Sequence, residues 1–259
     1  MNKGVNIVLK LSAEQKQRYN RNILLHGFGE DGQAKLLKAS VLIVGAGGLG
    51  SPVAYYLAAA GIGHIGLVDD DTVDISNLQR QILHNTADLG RPKAVSAREK
   101  LEKLNPDLKI ISYCCRLNSE NINEIFSRYD IVVDAVDSFA ARYLINKACL
   151  ELRLPFVHGA VLGMVGQVTT LLPGEGPCYT CLFPKPPVKA VPTAAEVGIL
   201  GAVAGIIGSI QATEVIKYIT GVGSLLTGRI LMLDASGMVF QSVTFARNPE
   251  CTECSSVIG

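Results

Sequence analysis

Two groups of residues in this chain have types and spacings suited to chemistry. The first begins at "GAGGLG", which puts Gly45, Gly47 and Gly50 in the pattern G-x-G-x-x-G. Between an apolar strand and a helix, such a turn offers phosphate its backbone N–H groups and a helix N-terminus. It points to a nucleotide without saying which. Asp69 follows at the end of the next strand, where a carboxylate can accept hydrogen bonds from ribose hydroxyls. Adenine mononucleotides and dinucleotides both present those hydroxyls. Discrimination comes from "SNLQRQ" (76–81) and "GRPK" (90–93). Arg80 and Lys93 are cations beyond strand ends, and Lys93 sits near a helix N-terminus whose dipole repels it unless an anion lies between them. A glycine turn largely handles one pyrophosphate. Further cations suit a triphosphate and a departing pyrophosphate. Ordinary surface cations are the plain alternative for each residue singly, as solvated loop charge is for Asp70 and Asp71. Asp137 ends "DIVVDAVD" just past a parallel strand, and a carboxylate facing phosphates there suits Mg²⁺. Asp134 is expected on the sheet's other face, its plain alternative being a buried, hydrogen-bonded strand residue.

The second group is "CYTC" (Cys178, Cys181) with "CTEC" (Cys251, Cys254). Four thiolates in two knuckles form a closed, structural Zn²⁺ site; a pair of redox dithiols is the alternative. The remaining cysteines, Cys114, Cys115 and Cys149, fall in strand and helix patterns and read as core. Seven cysteines with two CxxC pairs fit a reducing cytoplasm better than a secreted, cross-linked fold. The four histidines show no ligand spacing, and neither G-x-S-x-G nor H-E-x-x-H occurs. No general base is evident. Adenylation of an α-carboxylate would need none, since that group ionises with a pKa of about 3.5.

The elements that must position these residues alternate. "SAEQ" (12–15) is a capping box, so a helix starts near Ala13 and carries "RYNRNIL", with Arg18 and Arg21 on one face. Then come a strand, the glycine turn, a helix, a second strand ending at Asp69, a helix after Pro92, and two more strands around a short helix. Strands alternating with helices imply a parallel sheet covered on both faces. Beyond Pro155 the texture becomes strand-like with Gly punctuation, and "ASG" (235–237) marks a hairpin. The expected fold is α/β, a Rossmann-like doubly wound, mainly parallel sheet with an antiparallel C-terminal part. It forms one domain over 1–259: an N-terminal helical arm (1–40), a nucleotide-binding half (41–155) and a mixed-sheet half (156–259) with an exposed Pro-rich loop (183–196). A formal net charge of +1 and 18% charged residues suggest no nucleic-acid or acidic-membrane surface. The first 25 residues show no signal-peptide pattern. The apolar run 197–210 is too short for a membrane span and reads as a packed helix, with Gly201 and Gly205 allowing close backbone approach.

The order of "RYNRNILL", "VLIVGAGGLGSP", "LVDDDTVDISNLQRQ", "GRPKA", "VVDAVDSF", "CYTCLFP", "GSIQATEVIK" and "CTEC" resembles the ThiF/MoeB/HesA family, bacterial relatives of ubiquitin-activating enzymes. The likeness runs from about residue 12 to Cys254. It implies Mg-ATP-dependent adenylation of the C-terminal glycine of a small ubiquitin-like sulfur carrier ending in Gly-Gly, in a homodimer with structural zinc. By motif, Gly48 joins Gly45, Gly47 and Gly50 in the phosphate turn and Asp69 holds ribose. Within Ser76, Asn77, Leu78, Gln79 and Arg80, the residues Asn77 and Arg80 hold phosphates with Lys93. Asp137 handles Mg²⁺ beside Ser138, which stands where the family often has Asn. Arg21 reaches into the partner subunit's site. The loop after the first knuckle has no Cys, so no covalent sulfur relay is expected there. The chain ends soon after "CTEC", which implies a separate sulfur donor and favours the simple molybdopterin-synthase adenylyltransferase type, with thiamine or other sulfur-carrier pathways open. Three other readings compete. A tRNA threonylcarbamoyladenosine dehydratase type would act on another carboxylate. An NAD-dependent oxidoreductase leaves Arg80, Lys93 and Asp137 without a task. A non-catalytic binding partner of the same fold would have lost the chemistry that these residues retain.

Overall fold

The computed structural model describes residues 10–186 and 194–255. One eight-stranded sheet organises them, in the order β3-β2-β1-β4-β5-β6-β7-β8. Before it come α1 (Ala13–Arg18), α2 (Asn20–Ile23) and α3 (Gly29–Lys38). The nucleotide half runs β1 (Ser40–Val44), α4 (Gly50–Ala60), β2 (His64–Val68), α5 (Lys93–Leu104), β3 (Lys109–Tyr113), α6 (Ile122–Phe126), β4 (Ile131–Asp134) and α7 (Phe139–Glu151). The rest is β5 (Phe156–Leu162), β6 (Val165–Leu171), α8 (Tyr179–Leu182), α9 (Ala194–Val197), α10 (Gly201–Thr220), β7 (Arg229–Asp234) and β8 (Val239–Thr244). Strands β3 to β5 pair in parallel, and β5 to β8 pair antiparallel. Because β4 pairs with β5, the sheet is continuous across residue 155.

Alternation in β1 shows why the parallel strands read as unbroken apolar runs. Val41 and Ile43 join the core under α3, α4, α5 and α10, while Leu42 and Val44 join the core under α6 and α7. From β1 the chain winds outward to β2 and β3, then returns to β4 on the other side of β1. That reversal puts a crevice beyond the carboxyl ends of β1 and β4, where open α/β sheets bind ligands.

Three expectations need correction. The helix begun by the Ser12 capping box ends at Arg18 and does not carry "RYNRNIL". Tyr19 leaves helical geometry (φ −100°, ψ 12°) because its buried ring packs over Gly61 and its hydroxyl accepts from Asn105 Nδ2 at 2.8 Å. Arg18 donates to the Leu104 carbonyl at 3.3 Å, so Arg18 and Arg21 no longer share one helix face. The apolar run 197–210 is broken at Gly198 (φ +77°), and the helix it enters extends to Thr220. That helix is long and apolar enough to cross a membrane by composition, yet it packs on α4, β5 and β6. The close approaches are made at Gly201 and Gly208 and not at Gly205: a Cβ at Gly208 would lie 2.6 Å from the Leu49 carbonyl oxygen, and one at Gly205 would meet nothing. Third, Cys149 and Cys115 pack with the core, but Cys114 is exposed just past β3.

Candidate functional site

The glycine turn leaves β1 with Gly45 at φ +100° and its N–H on the Val68 carbonyl at 2.8 Å. A Cβ on Gly45 would lie 2.6 Å from the Ala135 carbonyl oxygen, and one on Gly50 would lie 1.8 Å from that of Gly45. Only glycine fits either position, and the β1–α4 turn therefore touches the β4–α7 turn. Ala46 is held from both sides. Its N–H donates to Asp69 Oδ2 at 2.7 Å, and its carbonyl accepts from His84 Nε2 at 2.9 Å. The other His84 nitrogen is 3.0 Å from Ser96 Oγ, which itself accepts from Lys100 Nζ at 2.8 Å. The Ala46 carbonyl can only accept, which puts the proton on Nε2. Burial holds His84 below the usual histidine range, so it is neutral at pH 7. Burial raises Asp69, opposed by its hydrogen bonds from Ala46 and Asp71 and by the Lys93 charge.

"SNLQRQ" packs across this turn. Asp74 caps a 3₁₀ turn over Ile75–Asn77 by accepting from Ser76 N–H at 2.8 Å. Asn77 Oδ1 accepts from Gln81 Nε2 at 2.7 Å, and Arg80 donates to the Ser76 carbonyl at 3.2 Å. A Cβ on Gly48 would lie 3.4 Å from Arg80 Cγ, and one on Gly201 would lie 2.4 Å from the Gln79 carbonyl oxygen. The segment is thus wedged between the glycine turn and the start of α10, with Leu78 half-buried within it. Lys93 is no ordinary surface cation: it is buried, and its Nζ pairs with the exposed Asp71 carboxylate at 2.8 Å. Asp137 is exposed and makes no hydrogen bond or ion pair among the described residues. Ser138 caps α7, accepting from Ala141 N–H at 3.3 Å. Arg21 is exposed on α2 and forms no bond to any of these groups.

Sequence reasoning missed what supports the Asp137 turn. Asp134 is fully buried, as its plain alternative had it. It accepts from His158 Nδ1 at 2.7 Å and from Val136 N–H at 3.2 Å. Arg142, on α7, donates to the Val136 carbonyl at 3.0 Å. His84, His158 and Arg142 carry no motif. The only available signal was that His158 and Arg142 interrupt otherwise apolar runs, and His84 offered none.

The two cysteine knuckles meet 73 residues apart in sequence. Cys178 Sγ lies 3.8 Å from Cys181 Sγ and 3.7 Å from Cys251 Sγ, and Cys181 Sγ lies 3.6 Å from Cys254 Sγ. A disulfide needs about 2.05 Å, so these are free thiols. A tetrahedral site with metal–sulfur bonds of about 2.3 Å has sulfur–sulfur edges of about 3.8 Å. The interleaved cluster fits that tetrahedron, and two independent dithiols would not require it. Burial pushes the Cys178 thiol up, so its ionisation calls for a cation among the four sulfurs, three of them buried and Cys181 half-buried. Nearby, Tyr143 donates to the Phe183 carbonyl at 2.7 Å, and Asn146 accepts from Tyr179 N–H at 3.0 Å, which stitches α7 to α8. Of the Pro-rich loop, residues 187–193 lie outside the described residues.

A sequence profile described as the ThiF family matches residues 19–253. The chain is 46% identical over 252 residues to a sulfur carrier protein adenylyltransferase of Thermus thermophilus, covering 95% of this chain and 93% of that one. It is also 46% identical over 249 residues to the SAMP-activating enzyme E1 of Haloferax volcanii, covering 96% and 92%. To the adenylyltransferase and sulfurtransferase MOCS3 of Drosophila persimilis it is 47% identical over 249 residues, spanning 95% of this chain but 55% of that longer protein. Among solved structures, E. coli MccB with ATP superposes with a TM-score of 0.82 at 26% identity, covering 92% of this chain and 74% of that one.

Proposed function

The chain belongs to the ThiF family, and from that premise we propose that it is an ATP-dependent adenylyltransferase that activates the C-terminal glycine of a small ubiquitin-like sulfur carrier. The observation that carries this reading is the meeting of the glycine turn with Arg80 and with the β4–α7 turn that leads into Asp137, while Lys93 reaches the same turn through Asp71 and Asp69. Gly45 and Gly50 let the turn close on itself and on the β4–α7 turn, and Gly47 and Gly48 keep side chains off the backbone that meets phosphate. Asp69 already accepts two backbone N–H groups, and a carboxylate has about four lone-pair sites, so it retains capacity for ribose hydroxyls. Asn77, Arg80 and Lys93 meet the triphosphate. For Lys93 this means exchanging the exposed Asp71 for a phosphate oxygen.

Asp137 is the carboxylate available for Mg²⁺, because no protein group occupies it among the described residues. The carrier carboxylate is ionised at pH 7 and attacks the α-phosphorus. The bond to the bridging oxygen breaks, and pyrophosphate leaves with its charge matched by Arg80 and Lys93. No base is required. The product is a free acyl-adenylate, since the Pro-rich loop sequence offers no cysteine. The four-cysteine cluster holds zinc, which joins α8 to the C-terminal segment. The carrier serves molybdopterin, thiamine or another sulfur-containing cofactor, and sulfur arrives from a separate protein.

Arg21, which has no side-chain partner among the described residues, serves the site of a second copy in a homodimer. Mixing inactive Arg21→Ala and Asp137→Ala proteins then restores activity in one of the two sites of each heterodimer. No restoration after verified subunit exchange places Arg21 elsewhere. The reading as a whole is tested by pyrophosphate exchange into ATP with purified carriers ending in Gly-Gly. Carrier-dependent exchange is expected, and no exchange with any carrier overturns it.

A further inference from the structure

The β4–α7 turn is held by a chain of buried polar groups that begins at His158. Gln167 Nε2 lies 3.2 Å from His158 Nε2, and an amide nitrogen can only donate, so that ring nitrogen is bare. The proton is on Nδ1, which donates to Asp134 Oδ2 at 2.7 Å. The other Asp134 oxygen takes the Val136 N–H, and Arg142 takes the Val136 carbonyl. Val136 is therefore fixed at both of its polar groups, and Asp137 is the next residue. The His158 ring is itself wedged edge-on against Tyr179, with centroids 5.0 Å apart, and against Phe183 at 6.2 Å. Tyr179 lies within the first cysteine knuckle and Phe183 begins the Pro-rich loop.

We propose that His158 is a positioning residue for adenylation, holding the Asp134 carboxylate so that the Val136 peptide presents Asp137 to the metal on the triphosphate. This rests on the adenylation reading above. Without the imidazole N–H, a fully buried carboxylate loses a partner, and such a group either takes up a proton or turns toward another donor. Either response slackens the Val136 peptide. The glycine turn keeps its own hydrogen-bond supports in Asp69 and His84.

The test compares His158→Leu, which has no donor, with His158→Asn, whose amide can reach Asp134 from the position of Nδ1. Pyrophosphate exchange is expected to fall at least about tenfold in His158→Leu and to recover most of that loss in His158→Asn. ATP binding measured in EDTA should stay within about twofold of wild type in both. Equal losses in the two variants, no loss in His158→Leu, or weaker metal-free ATP binding would each overturn the proposal. If His158→Leu does not fold, ¹⁵N-edited spectra of the wild-type imidazole decide instead. The Nδ1–H tautomer at neutral pH is expected, and the Nε2–H tautomer or an imidazolium would overturn it. If wild type exchanges with no carrier, the adenylation reading fails, whereas loss of Mg²⁺-dependent but not metal-free ATP binding in His158→Leu still establishes the role of His158.

Discussion

The turns after β1 and β4 share one device and differ in what operates it. Each fixes a single residue by both its N–H and its carbonyl. At Ala46 the holders are Asp69 and His84, from β2's end and the segment after "SNLQRQ". At Val136 they are Asp134 and Arg142, with His158 behind Asp134. The glycine turn presents backbone N–H groups, so its chemistry is a shape. The β4 turn presents one carboxylate, so its chemistry is a single side chain on a rigid peptide. Damage to the first should weaken nucleotide binding, and damage to the second should slow the reaction.

The sharpest break in this comparison is Asp137→Ala. Loss of metal positioning should lower pyrophosphate exchange at least about a hundredfold. The melting temperature should stay near wild type, because the side chain is exposed and bonds to nothing described. Near-normal exchange would move the metal role to another residue.

Cys178→Ala probes the far support of the same turn, since α7 is stitched to the knuckle through Tyr143 and Asn146. Elemental analysis should show about one zinc per wild-type chain and none in the variant, with a lower melting temperature. Intact metal-free protein with a wild-type melt would refute the structural zinc.

On the glycine side, His84→Leu leaves the Ala46 carbonyl and Ser96 without their partner. Removal of one buried partner costs about 1–3 kcal/mol, so metal-free ATP binding should weaken roughly tenfold. His84→Gln, which can return an N–H to Ala46, should recover most of it. Calorimetric titration in EDTA separates this from the unchanged affinity expected in His158→Leu.

The smallest effect is one of pH. Burial lowers both His84 and His158 below their unfolded value of about 6.5. Below that pH the unfolded chain takes up protons that the folded chain resists. Their contribution to stability is therefore complete above about pH 6.5 and is lost as pH falls toward their folded values. The melting temperature should decline between pH 7 and pH 5. The combined His84→Gln and His158→Asn protein should decline less steeply over that range, and an equal slope would assign the acid sensitivity to other groups.

The sequence by itself determined the order of the strands, the glycine turn, the acid at the end of β2 and the two cysteine knuckles. Each rests on local chemistry: apolar periodicity, glycines where no Cβ fits, and ligands three residues apart. Which cations are spoken for was not local. Lys93 reads as a free cation in "GRPK", yet it is buried against Asp71, because residues 72–73 bridge to 91–92 and bring the two together. The helix expected through "RYNRNIL" has the same lesson, since the burial of Tyr19 against Gly61 and Asn105 overrides helical propensity. His84, His158 and Arg142 were silent for a related reason. A hydrogen bond reaching 38 residues back to Ala46 or 24 back to Asp134 leaves no spacing to read, and it exists only once the sheet brings its strand ends to one edge.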